Sequence, residues 1–215
     1  MIQHTSFNHK GGYYHYRLHN IKVDRLITNF SSLKSYLNNV LKGCPNEYFN
    51  NGPRSSNLKF KLNNLQLNQI KGHEVCSLTR KGLEINNERY LTNHSKVQVF
   101  MLEHDDKTIA VEVPIWLECN ELDDFCKIFK TKEALSGHID VLRIENNRIW
   151  IWDYKPNSFE EKYATTQLFF YALMLSKRTN IDLSEFRCGY FDGECAFVFK
   201  PNTNMLNKDS ISKFI

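Results

Sequence analysis

Hydrophobic positions along the chain change their spacing near Lys96. Before it, Leu26, Phe30, Leu33, Tyr36, Leu37 and Val40 recur near helical spacing, which predicts an amphipathic helix over Asp24 to Leu41. Cys44-Pro45-Asn46 breaks that helix. Phe49 to Ser56 reads as a loop, and a second helix is expected from about Gln69 to Leu83. After Lys96 the period falls toward two. Val97 to Leu102 reads as a strand, and Thr108 to Glu118 as a better one. In the latter, Ile109, Val111, Val113, Ile115 and Leu117 form one apolar face, with Glu112 and Glu118 on the other.

The run His138 to Lys155 then holds two β-rich segments about Asn146-Asn147. Asparagine tolerates the positive φ that a two-residue hairpin turn requires, so a tight hairpin is predicted. After Pro156 a helix is expected to start. Ser158-x-x-Glu161 matches a capping box, and the helix should run to about Lys177. A last hairpin is predicted over Arg187 to Phe199, turned by Asp192-Gly193. This order implies an α/β layered fold, a mixed sheet flanked by helices. Residues 1–70 are expected to form an N-terminal helical and loop region packed on a core spanning 71–215, within a single domain.

Composition adds bounds rather than detail. With 215 residues, 41% hydrophobic and 24% charged, the chain has the profile of an ordinary globular domain. No stretch approaches the roughly 20 apolar residues that span a bilayer. The N-terminus, polar and without an apolar run, predicts an intracellular protein without membrane partners. A net charge of +4 is compatible with a polyanionic partner without demanding one. The six cysteines form no C-x-x-C pair, which argues for reduced, mostly buried thiols over a metal site. His4, His9, His15 and His19 fit no common metal spacing and read as part of a solvated N-terminal segment.

The chemistry concentrates at the first hairpin. If Asn146 and Asn147 form its loop, Glu145 faces Arg148, and stepping away from the turn by about five residues on each strand brings Asp140 opposite Asp153. Directly opposed residues have Cβ atoms about 4.5–5.5 Å apart, and like charges so placed destabilise a sheet. A divalent cation removes that cost, because hard Mg²⁺ prefers carboxylate oxygens plus water. Lys155, two residues past Asp153, shares its face. There an ammonium can orient a metal-bound water or offset charge on a phosphate under attack. Gln167 and Tyr171, at i and i+4, lie on one face of the following helix and can reach the same place. Trp150, Trp152 and Tyr154 fall on the opposite face of the strand and read as core.

Gly137-His138-Ile139-Asp140, then Trp152-Asp153-Tyr154-Lys155, then Gln167-Leu168-Phe169-Phe170-Tyr171 resembles the PD-(D/E)XK nuclease superfamily, with most similarity to its RecB-like branch, which includes CRISPR-associated exonucleases. The resemblance covers roughly Thr108 to Lys177. It implies a restriction-endonuclease-like core and metal-dependent hydrolysis of DNA, single- or double-stranded, with Mg²⁺ or Mn²⁺ as cofactor. Asp140 and Asp153 would be metal ligands, Lys155 the catalytic lysine, and Gln167 and Tyr171 members of an accessory motif. Glu112, on the strand before Gly137, has a counterpart in the family, and a backbone carbonyl near Tyr154 is a further candidate ligand. Family members usually carry a histidine or glutamate on an upstream helix shortly after a glycine. Here that position, counted from Gly72, falls near Cys76, a poor Mg²⁺ ligand, which leaves Glu74 or His73 as substitutes. With only Cys188 and Cys195 near the C-terminus, no iron–sulfur cluster is expected. The gap at Cys76 keeps a second reading open, a non-catalytic nucleic-acid-binding or assembly module that retains the nuclease fold. A homo-oligomer or a larger nucleic-acid-processing complex is compatible with either.

Overall fold

Positive backbone angles punctuate the chain where its strands turn. Gly11 and Gly12 take φ of 103° and 143° between the first two strands, and Asn146 and Asn147 take 48° and 55° in the hairpin predicted around them. The computed structural model describes residues 1–206, so the end of the expected core, 207–215, lies outside the described residues. In chain order the elements are β1 (Ile2–His9), β2 (Gly12–His19), α1 (Asn20–Leu26), α2 (Ser31–Lys42), α3 (Glu47–Asn50), β3 (Asn68–Lys71), α4 (Glu74–Ile85), α5 (Asn93–His104), β4 (Thr108–Leu117), α6 (Phe125–Phe129), β5 (Leu135–Glu145), β6 (Arg148–Tyr154), α7 (Ala164–Thr179), β7 (Phe186–Phe191) and β8 (Cys195–Phe199).

The strands form one mixed sheet in the order β1-β2-β4-β5-β6-β7-β8-β3. All neighbours run antiparallel except β6 and β7. A parallel pair needs a crossover, and α7 supplies it. One side of the sheet packs with α7 and α2 around Leu33, Leu37, Leu142, Ile151, Leu168 and Phe169. The other packs with α4 and α5 around Val75, Val97, Met101, Val141 and Trp152. Covered on both faces, the central strands are apolar on both faces as well. The fold is therefore α/β, as the pattern predicted. Among the described residues no helix is long and apolar enough to cross a membrane.

Several local expectations change, each for a physical reason. Residues 1–19, expected to be helical or irregular, form a hairpin that extends the sheet. Its turn rests on Lys10-Gly11, and glycine adopts positive φ at little cost. His9, expected in solvent, is buried. The helix over Asp24 to Leu41 is two helices, and the one expected from Gln69 begins only at Glu74, after β3. Val97 to Leu102 is not a strand but the middle of α5. All six residues from Val97 to Leu102 are buried, and a short run apolar all round carries no period to separate helix from strand. The start signal is Thr92, whose Oγ1 accepts the Ser95 N–H at 3.1 Å. Ser158 does not cap a helix. Its N–H and hydroxyl donate to Asp192 Oδ2 at 3.0 and 2.7 Å, and α7 starts at Ala164.

One buried charge cluster ties the α4–α5 layer to the sheet. The Arg143 side chain is fully buried and meets Asp105 at 2.9 Å, Glu145 at 2.7 Å and Glu74 at 2.5 Å. Lys107 adds a second contact to Glu74 at 2.5 Å. Removing one partner of a buried ion pair leaves uncompensated charge and costs about 3–5 kcal/mol. Arg143→Met is accordingly expected to lower stability by about that amount, read as a large fall in the urea midpoint with the slope unchanged. A midpoint within error of wild type would show that the three acids do not depend on the guanidinium.

Candidate active site

The β5–β6 ladder runs in the predicted register, from Glu145 opposite Arg148 back to Val141 opposite Trp152. One step further the strands part. Asp140 and Asp153 stand at the fork, where Asp140 Oδ2 accepts the Tyr154 N–H at 3.0 Å in place of a ladder bond. On the other side of β5, pairing with β4 keeps one register from Val111 opposite Val141 to Val113 opposite Ile139. That register sets Glu112 opposite Asp140.

Both strands change faces at this pair. Val111 and Val141 pack in the α4–α5 layer, whereas Val113, Ile115, Leu117 and Ile139 pack in the α7 layer. On β4 the change falls at Glu112, a non-glycine residue at φ 54° inside a strand. Such a conformation costs on the order of 1–3 kcal/mol and persists only where its surroundings impose it. Of the single apolar face read from Ile109 to Leu117, Val111 packs in the other layer. Glu112 is held by Gln98 of α5, whose Nε2 donates to Glu112 Oε1 at 2.8 Å.

Lys155 closes the site from the α7 side. Its Nζ lies 2.6 Å from Asp153 Oδ2 and donates to Gln167 Oε1 at 3.1 Å. The amide of Gln167 in turn donates to Asp153 Oδ1 at 3.3 Å and to the Tyr171 hydroxyl oxygen at 2.8 Å. Gln167 therefore fixes the lysine and the carboxylate relative to each other. Tyr171 comes this close because residue 137 is glycine, where a Cβ would stand 2.4 Å from the Tyr171 ring. The Lys155 backbone N–H donates to Phe191 O at 2.9 Å and anchors the strand end.

Burial sets the electrostatics. Desolvation raises the Asp153 pKa above the usual carboxylate range; Lys155 opposes the rise and Asp140 adds to it. Glu112 is raised for the same reason, with the Asp140 charge as the second cause and Gln98 opposing. Burial works against the Lys155 ammonium, yet the charges of Asp153 and Asp140 outweigh it and raise its pKa. Burial, then the Asp153 and Asp140 charges, keep Tyr171 a neutral phenol.

The predicted residues fall into two groups. Asp140, Asp153, Lys155, Gln167, Tyr171 and Glu112 come together, and Tyr154 contributes its N–H. Glu74 and His73 do not join them. Glu74 lies with Arg143 and Lys107 in the cluster described above, so its place among the metal ligands is withdrawn. His73 caps α4, its Nδ1 accepting the Val75 N–H, and its ring lies on Trp152. Cys76 is core. The residue that reaches the pair from an upstream helix is His94, near the start of α5, with Nε2 3.8 Å from Asp140 Oδ2 and its ring edge-on to Tyr154 at 5.1 Å. It was missed with the helix that carries it. The cap at Thr92 was the available signal.

Among the described residues no three His, Cys, Asp or Glu side chains form a ready-made metal cage. Mg²⁺ does not require one, since it keeps several waters and binds through one or two carboxylates. The donor set fits such an ion. Two buried carboxylates meet at the fork against the single ammonium of Lys155, 2.6 Å from Asp153 Oδ2. That excess of buried negative charge is of the kind a cation offsets.

No curated protein and no solved structure matches the chain. A model of the PD-(D/E)XK nuclease superfamily does, over residues 68–208, which takes in α4, α5, β4 to β8, α7 and every polar group at the fork. That match spans more than half of the sequence, and the chain belongs to the PD-(D/E)XK nuclease superfamily.

Proposed function

We propose that this protein is a Mg²⁺- or Mn²⁺-dependent deoxyribonuclease acting inside the cell on single- or double-stranded DNA. The observation that carries the reading is the pairing of Asp140 and Asp153 at parted strand ends, with a buried ammonium, Lys155, 2.6 Å from one of them. Asp140 and Asp153 would hold the cation, with Glu112, His94 and the Tyr154 carbonyl nearest to complete its shell. Bound there, the ion supplies Lewis acidity and lowers the pKa of a coordinated water. Lys155 orients the attacking water and donates to the phosphate oxygens as negative charge builds on them. Gln167 holds the Lys155 ammonium on the cleft side of Asp153, and Tyr171 holds Gln167. A binding module without catalysis is the second reading; His94, 3.8 Å from Asp140 on an upstream helix where Cys76 would be a poor ligand, supports the catalytic one.

Labelled single- and double-stranded DNA should be cut in Mg²⁺ or Mn²⁺ and not in EDTA. Lys155→Ala and Asp153→Ala should each slow cutting by about 10²-fold or more. Cleavage that survives both substitutions rejects the assignment, and faster cutting of RNA than DNA would move the substrate.

Thermal unfolding offers a second check. A carboxyl whose folded pKa is raised gives up stability as pH climbs from the unfolded value near 4 through the folded value. Asp153 and Glu112 are both raised, so the metal-free protein should lose stability over that range and a cation should restore it on the alkaline side. Saturating Mn²⁺ is expected to raise Tm by about 4–10 °C at pH 8 and by clearly less at pH 5. Asp153→Asn should abolish the response. An equal Mn²⁺ response in that variant would place the ion elsewhere.

A further inference from the structure

A cleft floored by carboxylates must still attract a polyanion, and Lys155 cannot do so alone because it is held by Asp153 and Gln167. A second fixed cation stands along β5, Arg54. It sits on a short stretch that runs alongside β5. Ser136 N–H donates to Pro53 O at 3.0 Å, Ser55 Oγ donates to Ser136 O at 3.2 Å, and Arg54 bridges to Ser136. Two and four residues further along β5 come His138 and Asp140.

Arg54 is seated by aromatic and imidazole groups instead of an acid. Its guanidinium lies over the Tyr14 ring at 4.9 Å, Nη1 donates to Lys10 O, and Nη2 stands 3.5 Å from His138 Nδ1. Behind it, His138 Nε2 is 2.9 Å from His9 Nδ1, and His9 Nε2 is 3.0 Å from Asn46 Oδ1. The amide oxygen can only accept, so His9 carries its proton on Nε2 and accepts on Nδ1. His138 then carries its proton on Nε2 and turns a lone pair on Nδ1 toward Arg54. Ring packing locks the relay. Tyr14 stacks on His138 at 3.7 Å, and Phe49 stacks on His9 at 4.0 Å. Both histidines are buried.

The guanidinium has five donors, and two are used. Arg54, like Arg17, Arg80 and Arg187, has no ion pair with an Asp or Glu among the described residues, whereas Arg25, Arg89, Arg143, Arg148 and Arg178 each have one; of those four, Arg54 is the one held against His138 on β5. It reaches β5 at His138, two residues before Asp140. A planar, oriented, half-buried fork without a carboxylate partner suits a phosphate.

Resting on the nuclease reading, we propose that Arg54 is a phosphate-binding residue of this cleft, aimed by the His138–His9–Asn46 relay at the nucleic-acid phosphodiester beside the one that is cut. The N-terminal strands and the loop after α3 thereby belong to the substrate site, although the superfamily match begins only at residue 68.

The test is salt-dependent binding of fluorescein-labelled DNA and RNA oligonucleotides, read by anisotropy with Ca²⁺ in place of Mg²⁺, for wild type, Arg54→Ala, Arg54→Lys and the control Arg25→Ala. Arg54→Ala should weaken binding by about 5–20-fold and reduce the slope of log affinity against log salt by about one. Arg54→Lys should restore the slope but only part of the affinity, and Arg25→Ala should match wild type. A lowered Tm with an unchanged slope in Arg54→Ala would mean that the arginine only braces the loop, and would overturn the proposal. So would wild type that binds neither probe. If Arg54→Ala loses the slope but wild type cuts nothing in Mg²⁺ or Mn²⁺, the nuclease reading fails and this contact stands. If wild type cuts and the slope does not move, the reverse holds.

Discussion

Like charge confined without water organises this molecule. Asp140, Asp153 and Glu112 occupy adjacent places on three neighbouring strands, where opposed acids weaken a sheet. They are tolerated because β5 and β6 stop pairing at that point, while β4 stays paired with β5. The Tyr154 N–H, freed from the ladder, turns to Asp140, Gln98 takes Glu112, and Lys155 takes Asp153. The fork, the inverted strand and the two anchoring helices are all responses to the same electrostatic demand. A sheet with apolar residues at these three positions would have no reason to part there.

Much of the site was legible because its logic is local. Asn146-Asn147 fixes a turn, a turn fixes register, and register alone brings Asp140 to Asp153. Lys155 follows from alternation, and Gln167 and Tyr171 from helical spacing. What stayed hidden depends on tertiary context. The run from Val97 to Leu102 is buried on all sides, so its sequence holds no period to reveal a helix, and His94 was lost with it. Glu112 interrupts a strand by a backbone angle that no propensity for glutamate predicts. Its neighbours Val111 and Val113 look like one face because hydrophobicity does not record which layer covers it. His9 looked like one of four solvent histidines, yet Phe49 from a later helix and His138 from β5 enclose it. The sequence carries Phe49 and His138 far from His9, and only the folded sheet brings them together.

The N-terminal third shows how an addition at a sheet edge becomes part of a centre. The hairpin of β1 and β2 joins β4 through Arg17 opposite Val111 and Leu18 opposite Ala110. That contact is short, and stronger attachment comes from side chains. The Tyr16 hydroxyl donates to Leu37 O at 2.8 Å, and the Tyr36 hydroxyl donates to Pro114 O at 2.6 Å. The Lys22 ammonium donates to Leu102 O and Asp105 O at 2.5 and 2.6 Å, where α5 ends. A cation is favoured at a helix C-terminus, so the N-terminal region holds α5 at the end opposite His94. The same helix thus reports to both the appended strands and the fork.

Strand β5 carries two acidic clusters only a few residues apart, and their difference separates stability from function. Around Arg143, three acids meet a buried guanidinium and a lysine, and the contacts close on one another. Around Asp140, three acids meet one ammonium at close range, that of Lys155 at 2.6 Å from Asp153. Both lie inside the protein, so desolvation cannot distinguish them. Charge balance can. Three acids against an arginine and a lysine come close to neutrality, whereas three against one lysine leave an excess of negative charge that an incoming cation offsets. The fold can keep the acid-rich cluster because the balanced one helps hold β5 against α4 and α5.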